Sequence, residues 1–267
     1  MTAALQIPVL EELNFELRDV THQFLFEPTA KRVRTFLGDV AVADSTRVMI
    51  LTETGRLPVY YFPVEDVRGD LLVPGGRQYT SKRKGVAAYM SVVVGARRAE
   101  NGAWRYAANP PTGPDLSGHI AFHWKLMDAW YEEDDEVFFH ARDPHHRIDV
   151  LNSSRRVQVF AGDTLLADTR HARMLYETNL PTRYYIPRED VRLEALAASA
   201  TATGCPYKGL ATEYWSTADG AISDVAWSYP EPLPEVGGIA GRVCFFNERC
   251  EIVVDGVRQP KPTSPWT

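Results

Sequence analysis

The chain has 267 residues, 45% of them hydrophobic and 11% aromatic, with a net charge of −6. That length holds one or two domains with cores of their own, and the acidic balance gives no overall attraction to a phosphate backbone. No run approaches the roughly 20 apolar residues of a membrane span, which leaves both nucleic acid and membrane outside the expected partners.

The N-terminus, MTAALQIPVLEELNFELRDV, lacks the basic region and the long apolar region of a secretion signal, so a soluble cytoplasmic protein is expected. Residues 1–28 match nothing else in the chain and read as an arm. From Lys31 to Arg68 runs a passage that returns without a gap from Arg155 to Arg192. FLGD at Phe36 recurs as FAGD at Phe160, Ala43-Asp44 as Ala167-Asp168, Glu53-Thr54 as Glu177-Thr178, and YYFPVEDVR at Tyr60 as YYIPREDVR at Tyr184. The shift from Gly38 to Gly162 is 124 residues. Solenoid units recur every 20 to 50 residues or so, so this period is that of a whole small domain, duplicated in tandem.

In the first copy Val33–Leu37 and Val40–Ala43 flank Gly38-Asp39 as a hairpin, and Arg47–Thr52 and Val59–Phe62 form a second one around Gly55 and Pro58. Pro63, followed by Glu65 and Asp66, is a helix-start signal that predicts one or two helical turns, as does Pro187 in the second copy. Each copy then passes a turn, Lys84-Gly85 or Lys208-Gly209, and an aromatic patch, Tyr89-Met90-Ser91 or Tyr214-Trp215-Ser216. Next come Trp104-Arg105-Tyr106 and Trp227-Ser228-Tyr229, each before prolines, and final strands at Gly118–Phe122 and Gly241–Phe245. Here the shift is 123, so a one-residue indel lies in a loop between. The polar run from His140 to Ser154 reads as the connection. The expected division is an arm at 1–28, a first β-domain at 29–140, a linker at 141–154 and a second β-domain at 155–267.

VADSTR, YYFPxEDVR, CPYKG followed by YW, AWSYPEP and the acidic MDAWYEEDDEVFFHARDPHHR resemble the bacterial and fungal domain of unknown function 427 family in its two-copy form. The resemblance covers nearly everything after residue 30. It implies a mostly β fold of two small antiparallel tent-like domains with short helices. That wider fold group includes methionine-R-sulfoxide reductase and the drug-binding domain of cereblon, and its familiar members often hold zinc with two CxxC pairs. This chain has only Cys205, Cys244 and Cys250, odd in number and never in CxxC spacing, and Ser81 stands opposite Cys205. Neither a disulfide framework nor a tetrathiolate zinc site is encoded, and no metal or cofactor is expected. Cys205 has Lys208 near it but no histidine in its motif, a weak setting for a nucleophile.

Glu177 and Lys208 recur as Glu53 and Lys84, at matching strand-end and turn positions. A carboxylate or amine shielded by tyrosine and tryptophan has its pKa pushed toward neutrality, as acid–base or amine chemistry requires. The competing reading is a structural ion pair that braces the hairpins in each copy. Tyr60-Tyr61 and Tyr184-Tyr185 are adjacent on strands, so only one of each pair faces a given pocket. Trp104, Trp215 and Trp227 are large enough to wall a cavity or stack on a planar ligand, with Tyr207 and Tyr229 in the same motifs. His140, Asp143, His145 and His146 suggest metal ligands but lie on the expected linker without a counterpart, and read as a solvated loop, as does Lys82-Arg83-Lys84. Glu132–Glu136 reads as an exposed hairpin tip or an interdomain contact, and no phosphate loop, GxGxxG, HExxH or GxSxG motif is present.

Three functions stay open. One is a metal-independent enzyme acting on a small organic molecule, with Lys208 and Glu177 as the polar pair of an aromatic pocket. The second copy is favoured for it, because its motif text is the fuller. The others are a non-catalytic module that stacks a small planar or cyclic ligand, and a purely structural pair of domains.

Overall fold

The structure is a computed structural model and describes residues 22–108 and 113–264. The chain divides between Pro144 and His145 into two compact units.

The first unit contains β1 (Phe24–Pro28), β2 (Val33–Leu37), β3 (Val40–Ser45), β4 (Met49–Glu53), β5 (Val59–Pro63), β6 (Leu72–Ser81), β7 (Gly85–Val94), β8 (Arg97–Tyr106), β9 (His119–Phe122), β10 (Ala129–Glu132) and β11 (Asp135–Glu136). They form a seven-stranded sheet in the order β1-β4-β5-β9-β8-β7-β6 and a four-stranded sheet in the order β11-β10-β2-β3. Every pairing is antiparallel. Strand β2 alternates as the sequence does, burying Val33, Thr35 and Leu37. It turns into β3 through Gly38, whose φ of 59° favours a residue without Cβ. On β5 the two tyrosines part company. Tyr60 joins the core with Val33, Ile50, Phe62 and Trp130, while Tyr61 faces the opposite cluster with Leu51, Tyr106 and Ala121.

The second unit repeats this order with β12 (Ile148–Asn152), β13 (Val157–Ala161), β14 (Thr164–Thr169), β15 (Arg173–Glu177), β16 (Arg183–Ile186), β17 (Leu196–Ser199), β18 (Thr203–Cys205), β19 (Gly209–Ala211), β20 (Glu213–Thr217), β21 (Ala226–Ser228), β22 (Val243–Phe245), β23 (Glu251–Val254) and β24 (Val257–Arg258). Its sheets run β12-β15-β16-β22-β21-β20-β17 and β14-β13-β23-β24, with β18-β19 as a separate hairpin. The expected helical turns are the short 3-10 segments Val64–Asp66 and Arg188–Asp190, each directly after its proline. The repeated acidic residue has a scaffold role. Asp66 accepts a hydrogen bond from Ser45 Oγ, and Asp190 one from Thr169 Oγ1, both at 2.6 Å, which ties each segment to the preceding hairpin.

Two segments differ from the sequence reading. Part of the expected arm is strand β1, paired along its length with β4. Part of the expected linker is β12, paired likewise with β15. The two strands are counterparts, and both carry alternating apolar side chains that close one face of their sheets. Their sequences, FLFEP and IDVLN, share no residue at matching positions, so the repetition is one of hydropathy and not of identity. The rest of the expected arm, residues 1–21, lies outside the described residues. The acidic run is also divided. Glu133 and Asp134 form an exposed turn, whereas Glu132 is buried and accepts hydrogen bonds from Tyr60 Oη and Lys31 Nζ.

Candidate functional site

The predicted pair exists, and a histidine completes it. Glu177 ends β15, Lys208 sits in the turn between β18 and β19, and His146 lies two residues before β12. Lys208 Nζ donates to both Glu177 oxygens, at 2.6 and 2.5 Å, and His146 Nε2 lies 2.9 Å from Oε1. The three side chains are 11%, 5% and 16% exposed in that order, and the His146 ring stacks on Tyr207 at 4.2 Å. The first unit repeats the arrangement. Lys84 Nζ donates to Glu53 Oε2, and His22 Nε2 lies 3.1 Å from Oε1. His146 is thus not an unmatched loop residue, and Lys84 is not part of a solvated loop. Each trio is spaced by 31 residues, and that equal spacing is the one signal in the sequence that sequence reasoning passed over.

Glu177 is held through its carboxylate by both of its partners. Burial pushes its carboxyl up, but the His146 hydrogen bond and the Lys208 charge outweigh burial and hold it below the ordinary carboxylate range. The carboxylate takes the ammonium with both oxygens and so joins the end of β15, the 205–209 turn and the approach to β12.

The other predicted residues of the second unit do not line one pocket. Tyr184 and Trp215 belong to the core on one face of the sheet, and Trp215 carries the Arg188 guanidinium 5.3 Å from its ring centre. Tyr185, Trp227 and Tyr229 are buried on the other face. The fuller motif text of this copy therefore records a filled interior.

An aromatic-walled cavity lies in the first unit. It has a volume of about 460 Å³ and is walled by Tyr60, Trp104, His123, Trp124 and Trp130, with Arg77 and Lys125 at its rim. Trp124 and Trp130 stack in parallel, 4.4 Å apart and 6° from coplanar. Trp104 meets the His123 ring at 4.7 Å and 48°. Burial first, and then the nearby Arg77 charge, lowers the His123 pKa, so the ring is neutral at pH 7. Glu100 also lines the cavity, and Arg98 holds its carboxyl low through a hydrogen bond. At the mouth, Phe139 has a φ of 75°, a strained conformation for a bulky residue. Of the residues predicted from sequence, Tyr60 and Trp104 reach this cavity. Tyr61 points away from it, and Glu53 and Lys84 are not among its lining residues.

At the corresponding place the second unit is closed by its own side chains. Trp227 and Phe246 stand where Trp104 and His123 do, at 4.3 Å and 49°. Arg183 replaces Val59, and its guanidinium lies 5.5 Å from the Trp227 ring centre and 5.7 Å from that of Phe246. It makes a bidentate pair with Glu248, which replaces Lys125, at 2.8 Å for each bond. Neither Arg183 nor Glu248 was singled out by sequence reasoning. Each is an ordinary charged residue until its partner, 65 positions away, is known.

Among the described residues no helix is long and apolar enough to cross a membrane, and no group of three histidine, cysteine, aspartate or glutamate side chains is placed to hold a metal ion. Strand order and the repeated trio define the class: a tandem pair of antiparallel β-domains built on one plan. The chain belongs to the family described as Domain of unknown function (DUF427), which it matches twice, over residues 25–133 and 149–256. The second match begins within β12, inside the segment that the sequence reading took for a linker. No curated protein matches the chain.

Proposed function

We propose that the protein is a small-molecule binding module whose ligand site is the aromatic cavity of the first unit, and that the His–Glu–Lys trios are structural braces. One observation carries this reading. The first unit keeps the ring pair and leaves open the place that the second unit fills with Arg183. Concave, largely apolar sites with a few polar groups at the edge are the usual form of small-ligand pockets, and four aromatic walls favour a planar guest. The test is calorimetric titration with an uncharged bicyclic probe, 2-naphthol. Saturable binding is expected in the native chain and its loss in the double variant Val59→Arg/Lys125→Glu, which introduces the residues of the second unit's Arg183–Glu248 pair. Undiminished binding in a folded double variant would sink the reading.

Acid–base chemistry at Lys208 and Glu177 is the second reading, favoured by the presence of a histidine on each carboxylate. Lys208→Met separates the two. A catalytic lysine is replaced with little loss of stability, whereas a brace is not.

A further inference from the structure

We propose that the ligand of the first unit's cavity is a planar aromatic carboxylate. This deepens the binding reading above and rests on it. The second unit displays what this place in the fold accommodates: a flat, charged group set against a tryptophan and a second ring, with its charge met by the residue at position 248. In the first unit the ring pair is kept almost unchanged in distance and angle. Trp124 and Trp130 have Asn247 and Ile252 as counterparts, so the first unit has a longer aromatic wall, and two further differences concern the charge of the guest. Arg183 becomes Val59, which removes the internal guest, and Glu248 becomes Lys125, which reverses the sign of the closing charge.

A guest that replaces the guanidinium is therefore held by a cation and carries the opposite charge itself. Arg77 adds a second positive group at the same rim, with its guanidinium 4.7 Å from the Tyr89 ring centre. Neither Arg77 nor Lys125 forms an ion pair among the described residues, while the one acidic residue lining the cavity, Glu100, is taken up by Arg98. A carboxylate matches both the planar fork of arginine and the point charge of lysine. The stacked Trp124 and Trp130 extend the apolar wall beyond the ring pair, and a volume of about 460 Å³ leaves room for a bicyclic ring. The neutral His123 fits the same assignment: it offers a ring face without adding a charge, and a carboxylate placed near it would draw its titration upward.

The experiment compares two probes of one shape and opposite charge, 2-naphthoate and 2-naphthamidine, titrated into the full chain at low salt with 2-naphthol as the uncharged reference. Naphthoate is expected to bind at least about tenfold more tightly than naphthamidine, a difference of about 1.4 kcal/mol, and to lose affinity as salt is raised. Lys125→Glu, a change at an exposed position, is expected to keep the melting temperature and reverse the order of the two probes. Equal or tighter binding of naphthamidine by the native chain overturns the carboxylate assignment while leaving a planar-ligand site in place. An unchanged preference for naphthoate in folded Lys125→Glu overturns it as well. Binding of none of the three probes removes the site itself, and the inference with it.

Discussion

The two units share strand order, capping contacts and the buried His–Glu–Lys trio, yet one ends in a cavity and the other in a packed ion pair. The differences include Val59 and Lys125 against Arg183 and Glu248, and Trp124 and Trp130 against Asn247 and Ile252. Both units set a tryptophan against a second ring at this place, Trp104 with His123 and Trp227 with Phe246. The copy with a guanidinium against these rings is packed, and the copy with valine there has a cavity. A buried arginine–carboxylate pair is costly to desolvate and is retained when its geometry is good and its remaining bonds are satisfied. Glu248 is satisfied by Arg183 at both oxygens and by Ser264 Oγ.

This comparison is broken most directly at Arg183. Arg183→Met strands Glu248 in a buried position and is expected to cost about 3 to 5 kcal/mol in chemical denaturation, whereas Val59→Ala removes two methyl groups beside a cavity and costs about 1 kcal/mol. Similar losses from both changes would mean that the second unit is not held by its plug. Lys208→Met strands Glu177 and is expected to cost about 3 kcal/mol, because His146 remains to share the carboxylate's charge. Lys84→Met is expected to cost about as much, since its trio has the same form. Loss of a measurable activity with an unchanged melting temperature in Lys208→Met would instead support the acid–base reading.

The smallest effect sharpens the comparison by pH. Glu177 and Glu248 both titrate below the ordinary value of 4.5 in the folded chain, Glu177 because His146 and Lys208 outweigh its burial, and Glu248 because the hydrogen bonds of Arg183 and Ser264 outweigh its own. Unfolding then takes up protons as the pH falls. The stability these groups contribute is fully present above the unfolded value and is lost as the pH drops through the lower, folded ones. Melting temperatures measured between pH 7 and pH 3 are expected to fall at the acid end, and Arg183→Met is expected to flatten that fall. An unaltered acid profile in the variant would show that the Arg183–Glu248 pair contributes nothing to it.

Most of the scaffold was legible because local chemistry specifies it. Alternating β-branched and aromatic residues marked β2 to β5, Gly38 marked the first turn, and Pro63 and Pro187 marked the 3-10 segments. Strands β1 and β12 escaped notice because their likeness is in hydropathy and not in residues, and with them went His22 and His146. The pairing of Lys208 with Glu177 was legible from its repetition, but the direction of the Glu177 shift was not. That direction depends on a histidine that the sequence places in a supposed linker and the fold places 2.9 Å away.

By itself the sequence determined the duplication, the β character and the family, since each rests on patterns that persist along the chain whatever it touches. Only the tertiary structure decided which copy is open. A cavity is a property of side chains that meet across a fold, and here it involves position 59 or 183, position 125 or 248 about half a domain away in sequence, and the tryptophans at 124 and 130 that the second unit lacks. Nothing local in either residue records the charge of the other. Close packing makes the outcome discrete, because the corresponding pair of rings is either covered by the protein's own arginine or left beside a cavity.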